Sequence, residues 1–445
     1  MRFDLFFRIR LRFLKKGDLR RKTKKMKVFK FGGASVNSAE RISNVADILE
    51  RFSDDDLVIV ISAMGKTTNA LEKVAQAFYT EKKEEALQLF EEIKRQHLTV
   101  AKYLLVTHYL ACEARLRDCF TEVEWMLHDA PVREFDYYYD QVVSVGELLA
   151  TCVVSFYLSE RGIRNEWVDV RDIFRTDDNF RDANIDWAFT QQQVDRYIIP
   201  LVQQKQWVVT QGFIGATDEN ESTTLGREGS DYSAALFANM LNAEGLTIWK
   251  DVESVMSADP KQIPDAVPIH SLSYNEVIEM AYYGAQVIHP KTIKPLQNKN
   301  IPLYVKCFLD ADLPGTVIHD DISKDLPPII VIKENQVMME LKTKDFSFVG
   351  DAHAYQLYQW FNEHSLRPTL TQNGAISLIF AFDNWEEKIS RFSSAAAEVF
   401  EVHVTPGLTL TTIRHYNQTA LDRYINNKEM LVKQQTLRNI RVLHH

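Results

Sequence analysis

The sequence predicts an α/β protein, a mostly parallel sheet covered by helices on both faces, followed by a smaller ferredoxin-like region. Three observations carry this expectation. From Lys27 to about Lys306, near-continuous apolar runs alternate with helix-like stretches, and strands apolar on both faces belong in a parallel sheet covered on both sides. Glycine-rich segments follow two of those strands, at Gly32-Gly33 and from Gly212 to Gly229. Beyond a cluster of Pro and Gly between Asp310 and Pro328, the period changes to short strands and helices in the order βαββαβ.

The first strand is Lys27–Phe31, closed by Gly32-Gly33, with a polar helix start at Ser35 to Ser38 and a helix over Ala39–Phe52. The second strand is Leu57–Ser62. From Leu71 to about His128 the pattern is helical, with no strand signal, and its charge run from Glu81 to Glu85 reads as a solvated helix face. A helix over Ser144–Ser159 leads to strands at Arg164–Val170 and Gln206–Gln211. A helix at Tyr232–Leu241 then precedes strands at Leu246–Asp251 and Pro302–Cys307. In the tail, Ile329–Lys333 and Val337–Lys342 read as two strands, Asp351–Glu363 as a helix, and Arg367–Thr371 and Ala375–Phe380 as strands. Trp385–Ala397 follows as a helix and Phe400–Val404 as a strand. The remainder offers a strand (Leu408–Arg414), a helix (Thr419–Asn426) and a short apolar run (Met430–Val432), too little for a second complete module. The expected division is a basic extension at 1–25, a catalytic domain at 26–310, a ferredoxin-like domain at 329–405 and a partial second segment at 406–445.

With 445 residues the chain is long enough for two or three domains. A net charge of -9 argues against a general nucleic-acid binder. No window holds eighteen apolar residues in a row, so no membrane span is expected. The four cysteines, Cys112, Cys119, Cys152 and Cys307, form no C-x-x-C pair and suit a reducing cytoplasm as ordinary core residues. Residues 1–25 carry eleven Arg and Lys against Asp4 and Asp18, with Phe and Leu interleaved. Arg8, Arg10 and Arg12 interrupt any secretory apolar stretch. The simplest reading is a disordered extension, or an upstream start, with Met26 the functional beginning.

The chemistry concentrates at strand ends. Lys30 precedes two glycines that let a ligand approach the backbone, and the helix start beyond them turns unpaired N–H groups to the same spot. A fixed cation beside such a nest suits a polyphosphate. A second glycine-rich loop runs from Thr210 through Gly226-Arg-Glu-Gly229-Ser230-Asp231 into an Ala-rich helix, which Ser230 or Asp231 could cap. Gly65-Lys66-Thr67 imitates the end of a P-loop, but Val60 stands where that motif needs glycine, so the segment reads as a polar turn lining a pocket. Glu147, taken alone, is a first-turn acid favourable to its helix dipole. His289-Pro290 reads as a helix boundary, and Tyr137–Tyr139 as packing at a helix start.

Taken together these segments resemble a known family. Lys30-Phe-Gly-Gly-Ala-Ser-Val, Ser62-Ala…Thr68-Asn, Ser144-Val-Gly-Glu147-Leu, Gly212-Phe-Ile-Gly, Gly226-Arg-Glu-Gly-Ser-Asp231-Tyr and Trp249-Lys-Asp251-Val stand in one order. Ala258-Asp-Pro260 and Gly284-Ala-Gln-Val-Ile-His289-Pro290 continue it. This set is similar to the aspartate kinases, members of the amino-acid-kinase fold, over about residues 26 to 310. The resemblance implies an αβα sandwich followed by an ACT-type regulatory region that pairs across subunits, giving a homodimer or larger, and binds an amino-acid effector.

It also implies ATP-dependent phosphorylation of the side-chain carboxylate of L-aspartate, the first step toward lysine, threonine and methionine. Lys30 matches the lysine that stabilises the transferring phosphoryl group, and Asp231 the aspartate that orients lysines and phosphates. Ser62, Thr68 and Glu147 match substrate contacts, Glu147 receiving the ammonium. An arginine that clamps the α-carboxylate is expected after Arg175-Thr176-Asp177. A gapless match falls on Asp182, and Arg181, one residue earlier, is assigned. Gly32, Gly33, Ser35, Gly226, Gly229 and Ser230 belong to the phosphate loops, and Lys250, Asp251 and Lys261 match adenine-nucleotide contacts. Gln286 stands where some members have lysine, and Glu253-Ser254 and Met256 replace a Pro-Gly pair and a tyrosine near the nucleobase. The nucleophile is the substrate's own carboxylate, ionised at neutral pH, so no general base is required. Magnesium is expected to be held mainly through ATP oxygens, with no protein metal site. No strand-linked G-x-G-x-x-G occurs, so no dehydrogenase partner domain is expected. Alternatives are a relative acting on glutamate or acetylglutamate, or a catalytically silent regulatory subunit.

Overall fold

The computed structural model describes residues 26–445 except 286, 322–324 and 346, so the expectation for 1–25 and the Gln286 departure lie outside the described residues. An eight-stranded sheet forms the first half. Its strand order is Ser271–Ser273, Thr316–His319, Leu303–Cys307, Gly245–Lys250, Met26–Phe31, Asp56–Ile61, Trp207–Gln211 and Asn165–Val168. All neighbours run parallel except Leu303–Cys307 with Thr316–His319. Leu57 to Ile61 are completely buried, which is why this strand reads as an unbroken apolar run rather than an alternating one. Met26–Phe31 lies between Asp56–Ile61 and Gly245–Lys250, with Lys30 opposite Val60 and Ile248. Lys30 is therefore presented at the C-terminal end of the middle of the sheet, where ligands of open α/β sheets bind.

Two helices insulate the strands. Every residue of Gly229–Met240 is buried, and this helix packs on Met26–Phe31, Asp56–Ile61 and Gly245–Lys250. Val145–Glu160 is nearly all buried against Asp56–Ile61, Asn165–Val168 and Trp207–Gln211. Among the described residues, Phe135–Glu160 is apolar and long enough to cross a membrane, but it is packed inside the fold. The helical insertion is three helices, Thr67–Tyr79, Lys83–Leu104 and Tyr109–His128. All four cysteines are free and buried.

The tail differs from its strand-by-strand expectation. Ile329–Thr343 is one strand, not two, and so is Phe400–Arg414. Register shifts between Lys333 and Met338 mark a bulge opposite Pro406-Gly407, and bulges are where a strand tolerates Pro and Gly. The two long strands are the middle of an antiparallel six-stranded sheet, ordered Leu370–Asn373, Ser377–Asp383, Ile329–Thr343, Phe400–Arg414, Asn439–His444 and Met430–Gln435. One half of it, with Phe361 edge-on to Phe380 at 5.0 Å and Phe382 at 5.4 Å, has a core of its own. In the other half, Ile329–Lys333 pairs with Leu410–Arg414, which pairs in turn with Asn439–His444. The last forty residues thus receive a strand from a segment eighty residues earlier.

A buried ion pair joins the helix Tyr274–Tyr283 of the first half to the second sheet. Arg414 donates to Glu276 at 2.6 and 3.0 Å and to Glu279 at 2.7 Å, and His415 lies 3.1 Å from Glu276. Burial would raise the Glu276 carboxyl, but His415 and Arg414 outweigh it and hold it at about 2. Ala258 and Ile263 add an apolar contact to Ile330, Ile413 and Ile440.

Candidate active site

A cavity of about 590 Å³ opens at the C-terminal end of the central strands, within the size range of small-molecule sites. Lys30 and Asp231 are its floor. Their side chains meet at 2.6 Å and are 12% and 4% exposed. Burial alone would raise the Asp231 carboxyl, but Lys30 and Lys250 together hold it below its ordinary value. Asp231 does not cap its helix. That place is taken by Glu228, in the left-handed region at φ 54, and Asp231 falls in the first turn, where its carboxylate is free to pair with Lys30.

Glycine is required where two backbones touch. A Cβ on Gly33 would come within 2.6 Å of the Ala63 carbonyl, and one on Gly212 within 2.6 Å of the Ser230 Cβ. These approaches bring the loop after Lys30, the turn from Ser62 to Thr68 and the start of helix Gly229–Met240 onto one cavity. The Ser35 hydroxyl donates to the Gly32 carbonyl at 2.6 Å, closing a short helical turn over Gly33–Val36, and Ser38 caps the helix Ala39–Glu50. Lys250 donates to the Val287 carbonyl at 2.7 Å, and the Glu228 carboxylate accepts from the His289 N–H at 2.9 Å. His289 caps Pro290–Gln297, accepting from the Lys291 N–H at 3.2 Å through Nδ1, as a helix-boundary residue should.

The opposite wall carries Glu147, Arg181, Ser62 and Thr68. Glu147 is 2% exposed; its Oε1 accepts from the Ala63 N–H at 3.2 Å, while its buried Oε2 has no hydrogen-bond partner among the described residues. Burial pushes its carboxyl up to about 8, against the opposing pull of the Ala63 N–H and Lys30. A carboxylate so placed is completed by a cation entering the cavity. Arg181 is half exposed, ion-paired to Asp136 at 3.0 Å and stacked over the Tyr139 ring at 4.4 Å. Asp182, where the gapless match fell, is bound to Lys291 at 2.9 Å and is not part of the wall.

Of the residues singled out from sequence, Lys30, Gly32, Gly33, Ser35, Ser62, Thr68, Glu147, Arg181, Gly226, Gly229, Ser230, Asp231, Lys250 and Asp251 all line this cavity. Lys261 does not; it lies on an exposed turn whose N–H donates to Asp259. Of the polar turn expected to line a pocket, Ser62 and Thr68 reach the wall, while Lys66 is exposed and outside it. Tyr139, Thr224, Arg227, Glu228, Trp249 and Phe308 also line it and were not anticipated. Arg227 and Glu228 lie within the Gly226-to-Asp231 segment and Trp249 adjoins Lys250, so proximity was the available signal. Trp249 stacks on Phe31 at 5.8 Å and 3°, and the Arg41 guanidinium lies 4.9 Å above Phe308. Nothing local in the sequence marks Phe308.

The arrangement can hold an anionic group between Lys30, Lys250 and the helix N-terminus, and a zwitterion between Glu147 and Arg181. Comparison with known proteins gives the family. The model of the amino acid kinase family matches residues 25–307. The chain is 32% identical over 309 residues to the bifunctional aspartokinase/homoserine dehydrogenase 1 of Zea mays, covering 68% of this chain and 33% of that protein. It is 31% identical over 318 residues to the lysine-sensitive aspartokinase 3 of Escherichia coli K12, covering 71% of this chain and 69% of that one. The chain thus spans about a third of the maize protein and about two thirds of the bacterial one. The fold matches the crystal structure of E. coli aspartokinase III in complex with aspartate and ADP, with a TM-score of 0.80 and 24% identity over 94% of this chain and 96% of that one. The chain belongs to the amino acid kinase family, and the relatives it matches there are aspartokinases.

Proposed function

We propose that this protein transfers the γ-phosphoryl group of ATP to the side-chain carboxylate of L-aspartate, giving 4-phospho-L-aspartate and ADP. The observation that carries this is the unpartnered Oε2 of Glu147, buried in the same cavity as the Lys30–Asp231 pair. In this reading Glu147 receives the substrate ammonium and Arg181 its α-carboxylate, with Ser62 and Thr68 beside them. That fixes one end of the amino acid and directs the other carboxylate toward Lys30. A carboxylate oxygen attacks the γ-phosphorus in line while the bond to the β–γ bridging oxygen breaks, and no proton needs to be removed. Lys30 stabilises the equatorial oxygens as charge spreads over them, and Asp231 holds Lys30 in place. Gly32, Gly33, Gly226 and Ser230 bring the backbone up to the phosphates, Ser35 and Gly229 close those two loops by donating their N–H groups to the Gly32 and Gly226 carbonyls at 2.9 and 3.0 Å, and Lys250 and Asp251 flank the nucleotide.

The phosphate end suits ATP carrying its own magnesium. It offers two lysines and N–H donors, and among the described residues its one buried carboxylate, Asp231, is already paired with Lys30. Bound magnesium would neutralise charge on the β- and γ-phosphate oxygens. An amino-acid effector, homodimeric or larger assembly and a cytoplasmic setting complete the reading. They are supported by the lysine-sensitive relative, the ferredoxin-like sheet and the four buried free thiols. Steady-state kinetics of Glu147→Gln test the assignment. The aspartate KM should rise by about tenfold or more, as for loss of one charge-assisted bond, while the ATP KM stays within about twofold. An unchanged aspartate KM would refute it.

A further inference from the structure

Asp140 has no part in the chemistry above, yet it is completely buried and fully committed. Its Oδ2 accepts from the Arg181 N–H at 3.0 Å and from the Thr224 N–H at 2.8 Å, and its Oδ1 accepts from the Thr224 hydroxyl at 2.7 Å. Burial pushes the Asp140 carboxyl up to about 6, against the pull of these donors. Arg181 and Thr224 both line the active-site cavity, and Thr224 stands two residues before Gly226 of the phosphate loop.

The same helix, Phe135–Val143, holds the other end of Arg181. Asp136 pairs with its guanidinium and Tyr139 lies beneath it, while Tyr139 is itself fixed by donating to Glu72 at 2.6 Å. Residues 136 and 140 are one helical turn apart and so share a face. That face grips Arg181 at the side chain and at the backbone. The grip has a strained object, because Arg181 has φ 69, a left-handed conformation that a non-glycine residue keeps only when its surroundings impose it. The Ala183 N–H donates to the Thr224 carbonyl at 3.0 Å, so the Arg181 loop is tied to the strand Ser222–Thr224 directly at Ala183 and through the Asp140 carboxylate at Arg181.

We propose that Asp140 is a positioning residue that sets amino-acid affinity by fixing the Arg181 loop against Thr224, so that the guanidinium meets the substrate α-carboxylate in register. The inference rests on the reading that Arg181 binds that carboxylate. Without Asp140, three donors, two of them buried, lose their acceptor and the loop is free to leave its left-handed conformation, and a displacement of about 1 Å at a binding group can cost up to about a hundredfold in rate.

The test is a set of variants assayed for KM of aspartate and of ATP, kcat and melting temperature. Asp140→Ala should raise the aspartate KM about tenfold or more and leave the ATP KM within about twofold. Asp140→Asn should restore most of the affinity, since its carbonyl can still accept from both N–H groups while its amide donates to the Thr224 hydroxyl. Arg181→Ala should raise the aspartate KM by itself, and adding Asp140→Ala to it should raise it no further, because Asp140 acts through Arg181. Should D140A not fold, D140S, whose oxygen is too short to span both donors, is read in the same way. If R181A raises the aspartate KM and folded D140A or D140S does not, the positioning role is refuted while the assignment of Arg181 stands. If R181A leaves the aspartate KM unchanged, the assignment itself fails and the inference with it. Equal rises in both KM values, a loss of melting temperature alone, or additivity of D140A on R181A would show a structural role and overturn the proposal.

Discussion

Lys30→Met separates charge from packing at the centre of the site. The lysine and Asp231 meet at 2.6 Å with 12% and 4% exposure, so the substitution has two consequences of different size and kind. The first is catalytic. A fixed cation aimed at developing charge in a water-poor site is worth about 3–4 kcal/mol, so kcat should fall roughly a hundredfold or more while the aspartate KM changes little. The second is structural. Removing one partner of a buried pair leaves a charge without compensation and typically costs about 3–5 kcal/mol. Lys250 remains close enough to Asp231 to soften that loss, so the lower end of the range is expected as a fall in melting temperature. The double variant Lys30→Met with Asp231→Asn removes the orphaned charge and should recover much of the melting temperature but none of the turnover. Turnover is read by coupling ADP release to a spectrophotometric assay, and stability by thermal denaturation of the same samples. A folded K30M enzyme with near-normal kcat would refute the assignment of Lys30. Recovery of turnover in the double variant would show that its effect was structural.

Other expectations follow from the same geometry. Glu147 is neutral in the free enzyme below about pH 8, and only its ionised form pairs with an ammonium. The kcat/KM for aspartate should therefore rise with pH up to that value and level off, and a profile flat from mildly acidic pH to 8 would contradict it. A chain beginning at Met26 should keep the activity and melting temperature of the full chain, and a large drop in either would show that residues 1–25 contribute. The full chain should run as a dimer or larger in light scattering. Removing everything after the strand Thr316–His319 should weaken that association, and a monomeric full chain at micromolar concentration would refute it.

Much of the site is legible in the sequence because its parts are local. Lys30 before two glycines and Asp231 after Gly226 and Gly229 each sit where a strand or loop meets a helix, and the backbone rules that operate there act over a few residues. Glu147 is harder. A first-turn acid on an apolar helix has an ordinary explanation, and what distinguishes it is an oxygen left without a partner, visible only once Ala63 and Lys30 are placed around it. Tyr139 reads as packing because aromatic runs usually are, and its place beneath Arg181 depends on a loop forty residues away. Phe308 reaches the cavity only through sheet order.

The tail shows the same limit at larger scale. Glu334-Asn335 and Pro406-Gly407 resemble turns, and each would end a strand in isolation. In the fold they face one another as a bulge in a pair of fifteen-residue strands, with Asn335 at φ 51 supplying the left-handed residue. The segment after 406 looks incomplete in sequence because its missing strand, Ile329–Lys333, lies on the far side of the intervening module. Pairing at that separation leaves no trace in local periodicity. Likewise Thr316–His319 lies beyond residue 310, within the Pro-rich stretch read as a boundary, yet it pairs with strands of the first sheet.

The central claim is that this cavity phosphorylates a carboxylate of aspartate, and trapping the product tests it most directly. The enzyme is incubated with ATP, magnesium, hydroxylamine and one amino acid at a time, and any acyl phosphate is captured as its hydroxamate. Aspartate should give a strong ATP-dependent signal and glutamate a weak one. Glutamate's extra methylene displaces its side-chain carboxylate from the γ-phosphate while its ammonium and α-carboxylate stay held by Glu147 and Arg181, and a misplacement of about 1 Å can cost about a hundredfold. Stronger turnover with glutamate than with aspartate, or no hydroxamate from any carboxylate, would contradict the account.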